Sequence, residues 1–400
     1  MLLIDEFTMK VSKDAYGGSA ELVDDAILCY VNELRSGKFA SAEDVFKNIE
    51  HNVDATLEVC SPILPLINLL NICMSFVEEN ENIGLSVEET VDKACEMLEK
   101  RRKEQASCLD RIGEVGEKMV PDGAKFSTFS TSGSVMSILQ KVKDAGKHIS
   151  VTCHEARPHN EGYRTFKEVA ELGFPVTLGT DAAITDLLPK SDIFIIGADA
   201  ITSIGQVYAK MGSYLAALAC QEFSVPFYVA ADTSKFDLLS MLGFPLKDSS
   251  RPSEEVSDMA VPEGCRIANV SFELIPPKLI SGIITENGVI STGSVAGMMD
   301  PDHMSIGEGR SPDRPFLLAD YGPFFCEFNP NAFAGKELVR MFAVVFSSKE
   351  LYTPPTTAFC VRLEVVVVYC EIVSRYLLTG EGCILAVLDY CHVRYIIVTS

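Results

Sequence analysis

Residues 193–220 read IFIIGADAITSIGQVYAKMGSYLAALAC, and the changes of pattern inside this stretch set the fold. Residues 193–196 are all apolar, the signature of a short strand buried on both faces. Gly197-Ala-Asp199-Ala then breaks the run and leaves one acid in small, flexible company. From Gln206 the period lengthens: Val207, Met211, Tyr214, Leu215 and Leu218 fall on one face of a helix. The stretch is therefore a strand, a loop with a single carboxylate and a helix. In open parallel sheets the ligand crevice lies beyond the carboxyl ends of the strands, so Asp199 is the first candidate for chemistry.

The same alternation extends outward. Residues 126–129 predict a strand, and Ser132-Gly133 opens a helix that carries Met136, Ile138, Leu139 and Val142. Residues 148–153 alternate as a second strand, ended by His154-Glu155-Ala-Arg157-Pro158. A helix over 161–172 closes at Gly173, and a third strand over 175–178 runs into Gly179-Thr-Asp181. Residues 225–231 are a further strand ended by Asp232-Thr-Ser-Lys235, and residues 281–290 a last strand and turn. Strands and helices alternating at this spacing predict an α/β fold with a Rossmann-like, doubly wound parallel sheet over 120–292.

Before the sheet, residues 15–119 read as an all-helical domain. Leu22, Val23, Ala26, Ile27 and Tyr30 share a face, and Ser41 with Asp44, Ser61-Pro62, and Ser86 with Glu89 are helix-start signals. Residues 1–14 read as a loose arm. After 293 the pattern is lost: Gly, Pro, Met and Asp dominate to 330, followed by apolar runs at 338–346 and 361–378 that carry no motif. Residues 293–400 are thus a C-terminal extension of unassigned fold.

Composition narrows the function. Of 400 residues, 47% are hydrophobic, enough for a substantial core, and the net charge of −22 opposes direct nucleic-acid binding. Lys100-Arg-Arg-Lys103, the one basic run, reads as a solvated helix face. The 13 cysteines form no CxxC pair, and the chain opens without an apolar leader, which points to free thiols in the cytoplasm. Residues 61–77 are too short for a bilayer span and hold Pro65, Asn68 and Asn71, so no membrane role is expected. GxGxxG, GxxxxGK[ST] and GxSxG are absent, which weighs against a dinucleotide site, a P-loop and an esterase. His154 and His159 lack the companions of a metal site, and no cofactor is called for.

The strand ends carry the chemistry. Thr128-Phe-Ser130-Thr131-Ser132-Gly133 runs straight into a helix start, where hydroxyls and backbone N–H groups make an anion site. Such a loop is more often plain capping than a site. Arg157, Lys210 and Lys235 are cations suited to phosphate; Asp181 and Asp199 suit hydroxyls or protons, although Asp181 also reads as a helix N-cap. A phosphorylated polyol fits this set.

Four blocks then become recognisable: EARPHNEGYRTFKEVAELGFPVTLGTDAA (155–183), GADAITSIGQVYAKMGSYLAALA (197–219), VPFYVAADTSKF (225–236) and PPKLISGIITENGVI (276–290). In order and spacing they resemble the superfamily that groups the alpha, beta and delta subunits of translation initiation factor 2B with methylthioribose-1-phosphate isomerase and ribose-1,5-bisphosphate isomerase. The resemblance covers about 15–292. It implies an N-terminal helical domain, a Rossmann-like domain, and assembly as a homo-oligomer or with related subunits. It also implies a proton-handling cysteine and aspartate. The aspartate corresponds to Asp199; the cysteine position holds Ser130, with Phe129 where the family has His. The Asn-Lys pair reads Ala209-Lys210 ahead of Gly212, and the Arg-Gly-Ala phosphate loop reads Tyr16-Gly17-Gly18.

These replacements point first to a regulatory subunit that binds a phosphorylated sugar or nucleotide without intact isomerase chemistry, because the loop FSTFSTSG offers no base to activate a serine. The alternative is a divergent aldose–ketose isomerase acting on a ribose 1-phosphate-type substrate such as ribose 1,5-bisphosphate or methylthioribose 1-phosphate, with Asp199 as acid/base and Ser130 or water in place of the thiol.

Overall fold

The computed structural model of the protein describes residues 3–12, 18–59, 63–242, 246, 251–262 and 264–299. Among them, five helices come first: α1 (Ile4–Ser12), α2 (Ser19–Ser36), α3 (Ala42–Val59), α4 (Leu64–Asn80) and α5 (Val87–Glu117). Their starts follow local chemistry. Ser86 accepts from the Glu89 N–H while the Glu89 carboxylate accepts from the Ser86 N–H, a complete capping box. Ser41 and Asp44 exchange the same two bonds. The Ser61-Pro62 start and the apolar runs at 338–346 and 361–378 lie outside the described residues. Residues 1–14 are not a loose arm where they are described: α1 buries Ile4 and Phe7 and turns Asp5 and Glu6 to water. Among the described residues no helix is long and apolar enough to cross a membrane.

The chain then alternates: β1 (Lys125–Phe129), α6 (Gly133–Asp144), β2 (Ser150–His154), α7 (Gly162–Glu171), β3 (Val176–Gly179), α8 (Ile184–Leu187) and β4 (Ile193–Ile196). It continues through β5 (Ala200–Thr202), β6 (Val207–Lys210), α9 (Ser213–Phe223), β7 (Phe227–Ala230), β8 (Phe236–Asp237), β9 (Phe272–Ile275), β10 (Gly282–Thr285) and β11 (Gly288–Ile290). Seven strands form one sheet in the order β11-β10-β7-β4-β1-β2-β3, parallel except at the β10–β11 edge. The chain winds outward from β1 through β2 and β3, returns to β4 beside β1, and winds the other way. Between β1 and β4 the direction of winding reverses, and that is where doubly wound sheets place their ligands.

Strand β4 shows why its sequence is apolar at every position. Ile193 and Ile195 join the core on one face, with Phe126, Val135, Ile138 and Ile284; Phe194 and Ile196 join the other, with Ala216, Phe227 and Ile283. Alternate side chains point to opposite faces, and here both faces are covered.

One part of the reading is corrected. No helix starts at Gln206: Ala200–Thr202 and Val207–Lys210 pair as antiparallel strands in a second, four-stranded sheet of order β8-β5-β6-β9. Gly205, at φ +76°, makes the tight turn between them. The helix begins only at Ser213. Val207 and Met211 match a helical period by spacing, but the Gly205 turn and the strand-forming Val207-Tyr208 pair override it.

The buried anchor of α1 yields a direct test. Phe7→Ala should lower unfolding free energy by about 3–5 kcal/mol in a denaturant titration. A change under about 0.5 kcal/mol is what a loose arm would give.

Candidate functional site

Strand β1 delivers the first group. After Phe129 the backbone turns sharply, with Ser130 at φ +62°, before Ser132 caps α6 by accepting from the Val135 N–H. A serine in the left-handed region is a strained position that its surroundings must hold. Helix α7 supplies the hold: buried Thr165 donates its hydroxyl to the Ser130 carbonyl at 2.8 Å, and the Ser130 hydroxyl donates to Oε2 of Glu161.

Glu161 sits immediately before α7, and the close docking of that helix brings it here. A Cβ at Gly162 would run into the His154 carbonyl, so only glycine lets α7 start against the end of β2. The other Glu161 oxygen, Oε1, accepts from Lys210 Nζ at 2.8 Å. Lys210 is almost wholly buried, and its ammonium also lies 5.9 Å from the centre of the Phe272 ring. The small second sheet thus aims Lys210 at the end of the large one.

Asp199 follows β4. Its backbone N–H donates to the Tyr208 carbonyl, which fixes the loop. Burial pushes its carboxyl above the ordinary value of 3.8; Lys235 and Lys210 pull the other way, and Glu161 adds to the rise. Lys235 comes from the turn after β7, where Asp232 accepts from the Ser234 N–H, and its buried ammonium donates to the Ala198 carbonyl at 2.5 Å.

These elements enclose a cavity of about 230 Å³ lined by Gly18, Ser130, Thr131, Ser132, Gly133, Asp199, Lys210 and Lys235, all singled out from sequence. Three other residues proposed from sequence do other work. Arg157 does not line the cavity: its guanidinium donates to the Val256 and Pro158 carbonyls. Asp181 is no cap for its own helix; its carboxylate accepts from the Ala156 and Arg157 N–H groups and clamps that turn. Gly212 leaves room for the Phe129 ring. Gly17 lies outside the described residues.

Sequence reasoning missed Glu161, Arg164, Glu21 and Glu168. Arg164 lines the cavity and pairs with Glu21 at 2.6 Å and Glu168 at 2.8 Å. The Arg164–Glu168 pair at i,i+4 was a readable signal; nothing in the sequence announced that Glu161 faces residue 130. No described residue lining the cavity is a cysteine or a histidine. Cys153 and Cys220 sit in the apolar layers, where burial pushes their thiols up to about 12.

A profile of the initiation factor 2 subunit family matches residues 17–292. Ribose 1,5-bisphosphate isomerase of Methanocaldococcus jannaschii is 35% identical over 208 residues, which cover 52% of this chain and 68% of that protein. Methylthioribose-1-phosphate isomerase of Pelotomaculum thermopropionicum is 32% identical over 227 residues, 53% of this chain and 61% of that one. Among solved structures, the translation initiation factor eIF-2B of Pyrococcus horikoshii OT3 superposes with a TM-score of 0.57 at 26% identity, covering 72% of this chain and 96% of its own.

The raised Asp199 carboxyl has a consequence for stability. The folded chain holds that proton more tightly than the unfolded chain, so the contribution is complete below 3.8 and is lost as pH rises through the folded value. Asp199→Asn removes the loss. Its melting temperature should exceed that of the wild type at about pH 8, and the gap should close towards about pH 4. A variant that melts lower at pH 8 would mean that ion pairing with Lys235 outweighs burial.

Proposed function

The chain belongs to the initiation factor 2 subunit family, and from that membership we propose that the cavity at its β1–β4 switch point binds an aldose 1-phosphate of the ribose type and isomerises it to the ketose. The observation that carries this reading is Asp199, a carboxyl raised by burial and placed in one cavity with two buried lysines. A carboxyl that burial makes hold its proton more tightly than usual is suited to giving that proton up as a general acid. The lysines and the hydroxyl-rich start of α6 suit the phosphate. The isomerases among its relatives support the substrate class.

Ser130 at the cysteine position favours a second reading, in which the cavity binds a sugar phosphate or nucleotide without turnover and the protein is a regulatory subunit related to eIF-2B. The similarity to the Pyrococcus horikoshii structure supports that possibility equally. In both readings we take residues 15–119 as a helical domain and 120–292 as the ligand-binding and oligomerisation domain, with 293–400 as an extension. We place the protein in the cytoplasm, as a homo-oligomer or with related subunits.

Incubating the purified full chain with ribose 1,5-bisphosphate and with methylthioribose 1-phosphate separates the readings. Ketose should form from at least one, and Asp199→Asn should cut kcat by about 10²- to 10⁴-fold. Saturable binding with no ketose from either sugar would establish the regulatory reading instead.

A further inference from the structure

We infer that Ser130 is the group that moves the C2 proton, and that Glu161, standing behind it, is the base that receives the proton Ser130 gives up. The inference rests on the isomerase reading and supplies the base that reading lacks. A serine hydroxyl handles protons near neutral pH only when a neighbouring base takes its own. The structure meets that condition. Ser130 lines the cavity with Asp199, and its hydroxyl already donates to Oε2 of Glu161. Glu161 is not part of the cavity lining, so it acts on the sugar only through Ser130. Its other oxygen accepts from Lys210 Nζ at 2.8 Å, which fixes how the carboxylate is turned. A reacting side chain, a base within hydrogen-bond reach and a third group that orients the base are the parts of an activated hydroxyl.

Helix capping does not account for this serine. Ser132 caps α6, which leaves the Ser130 hydroxyl to Glu161. Ser130 also sits at φ +62° between β1 and α6, with its carbonyl held by Thr165 at 2.8 Å. A residue at that angle persists only where its surroundings hold it, and such residues gather at reacting centres. Ser130 is the catalytic residue here; Glu161, Lys210 and Thr165 are positioning residues that act through it.

The step balances without an outside reagent. Asp199 gives its proton to the ring oxygen of the sugar, and the bond from that oxygen to C1 breaks with its electron pair going to oxygen. Ser130 Oγ takes the C2 proton as its own hydroxyl proton passes to Glu161, and the C2–H electron pair becomes the C1–C2 double bond. Glu161 then returns its proton to Oγ as Oγ delivers one to C1. The C2 hydroxyl gives its proton to Asp199, which leaves a carbonyl at C2. Serine and both carboxyls end as they began, and nothing is oxidised or reduced by a second molecule.

The test uses the full chain with ribose 1,5-bisphosphate and with methylthioribose 1-phosphate. Ser130→Ala and Glu161→Gln should each lower kcat by about 10²- to 10⁴-fold with KM changed by less than about tenfold. The double variant should be within about tenfold of either, because one relay is lost only once. Thermal melting and sugar binding establish that the variants are folded. The decisive variant adds Ser130→Cys to Glu161→Gln. A thiol, with an ordinary pKa of about 8.5, gives up its proton without a helper, so kcat should recover at least about tenfold over Glu161→Gln and climb with pH towards about 8.5. A carboxylate that served only the fold would not be replaced by a thiol. If wild type turns over but either single variant stays within about tenfold of it, or the thiol recovers nothing, the relay is overturned while the isomerase reading stands. If wild type forms no ketose from either sugar, the isomerase reading falls and the relay with it.

Discussion

A single carboxylate ties the switch point together. Glu161 accepts from Ser130 with one oxygen and from Lys210 with the other. Those two donors come from the ends of different sheets, and Glu161 itself stands immediately before α7. Removing its charge would leave a nearly buried ammonium without its partner, an expensive state in a low-dielectric setting. It would also release a serine already held at a strained backbone angle. The strain at Ser130, the orientation of Lys210 and the start of α7 are therefore one problem with one solution.

The large sheet makes that solution possible. Reversal of winding between β1 and β4 opens a crevice where the loops after both strands meet, and the β7 turn adds Lys235 beside them. The small sheet has a narrower task. It holds Lys210 by pairing β6 with β9, so that Phe272 lies opposite it in register and under its ammonium. Acids outnumber bases around the cavity: Arg164 pairs with Glu21 and Glu168, Lys235 acts on Asp199, Asp232 also lines the wall, and Lys210 pairs with Glu161 behind it. A phosphate entering here must take over donors already in use, which favours a ligand that brings hydroxyls as well as charge.

Much of this frame was readable in the residues. The apolar run at 193–196, the Ser132 cap and the charged strand ends report local rules: burial on both faces, capping, and ligands at carboxyl termini. The small sheet was not readable, because strands as short as Ala200–Thr202 and Val207–Lys210 carry too few residues for their alternation to outweigh a chance helical spacing. Helix α1 was readable as well, since Ile4 and Phe7 stand three residues apart with Asp5 and Glu6 between them, but so short a segment was passed over. Glu161 was hidden by distance. The loop FSTFSTSG holds no base, and its partner stands 31 residues away, brought close only by the glycine that follows it. The sequence reading therefore leaned to a regulatory subunit; the carboxylate beside Ser130 moves the balance towards chemistry.

The central claim is that the switch-point cavity holds the sugar phosphate with its reacting carbons against Asp199. A crystal structure of Asp199→Asn soaked with ribose 1,5-bisphosphate tests it most directly, because that variant should bind without turning over. The sugar should lie in the switch-point cavity with its 1-phosphate near Lys210 or Lys235 and its ring oxygen or C2 hydroxyl within about 3.5 Å of residue 199. A sugar bound elsewhere, or bound here with its reacting carbons turned away from residue 199, would contradict the account.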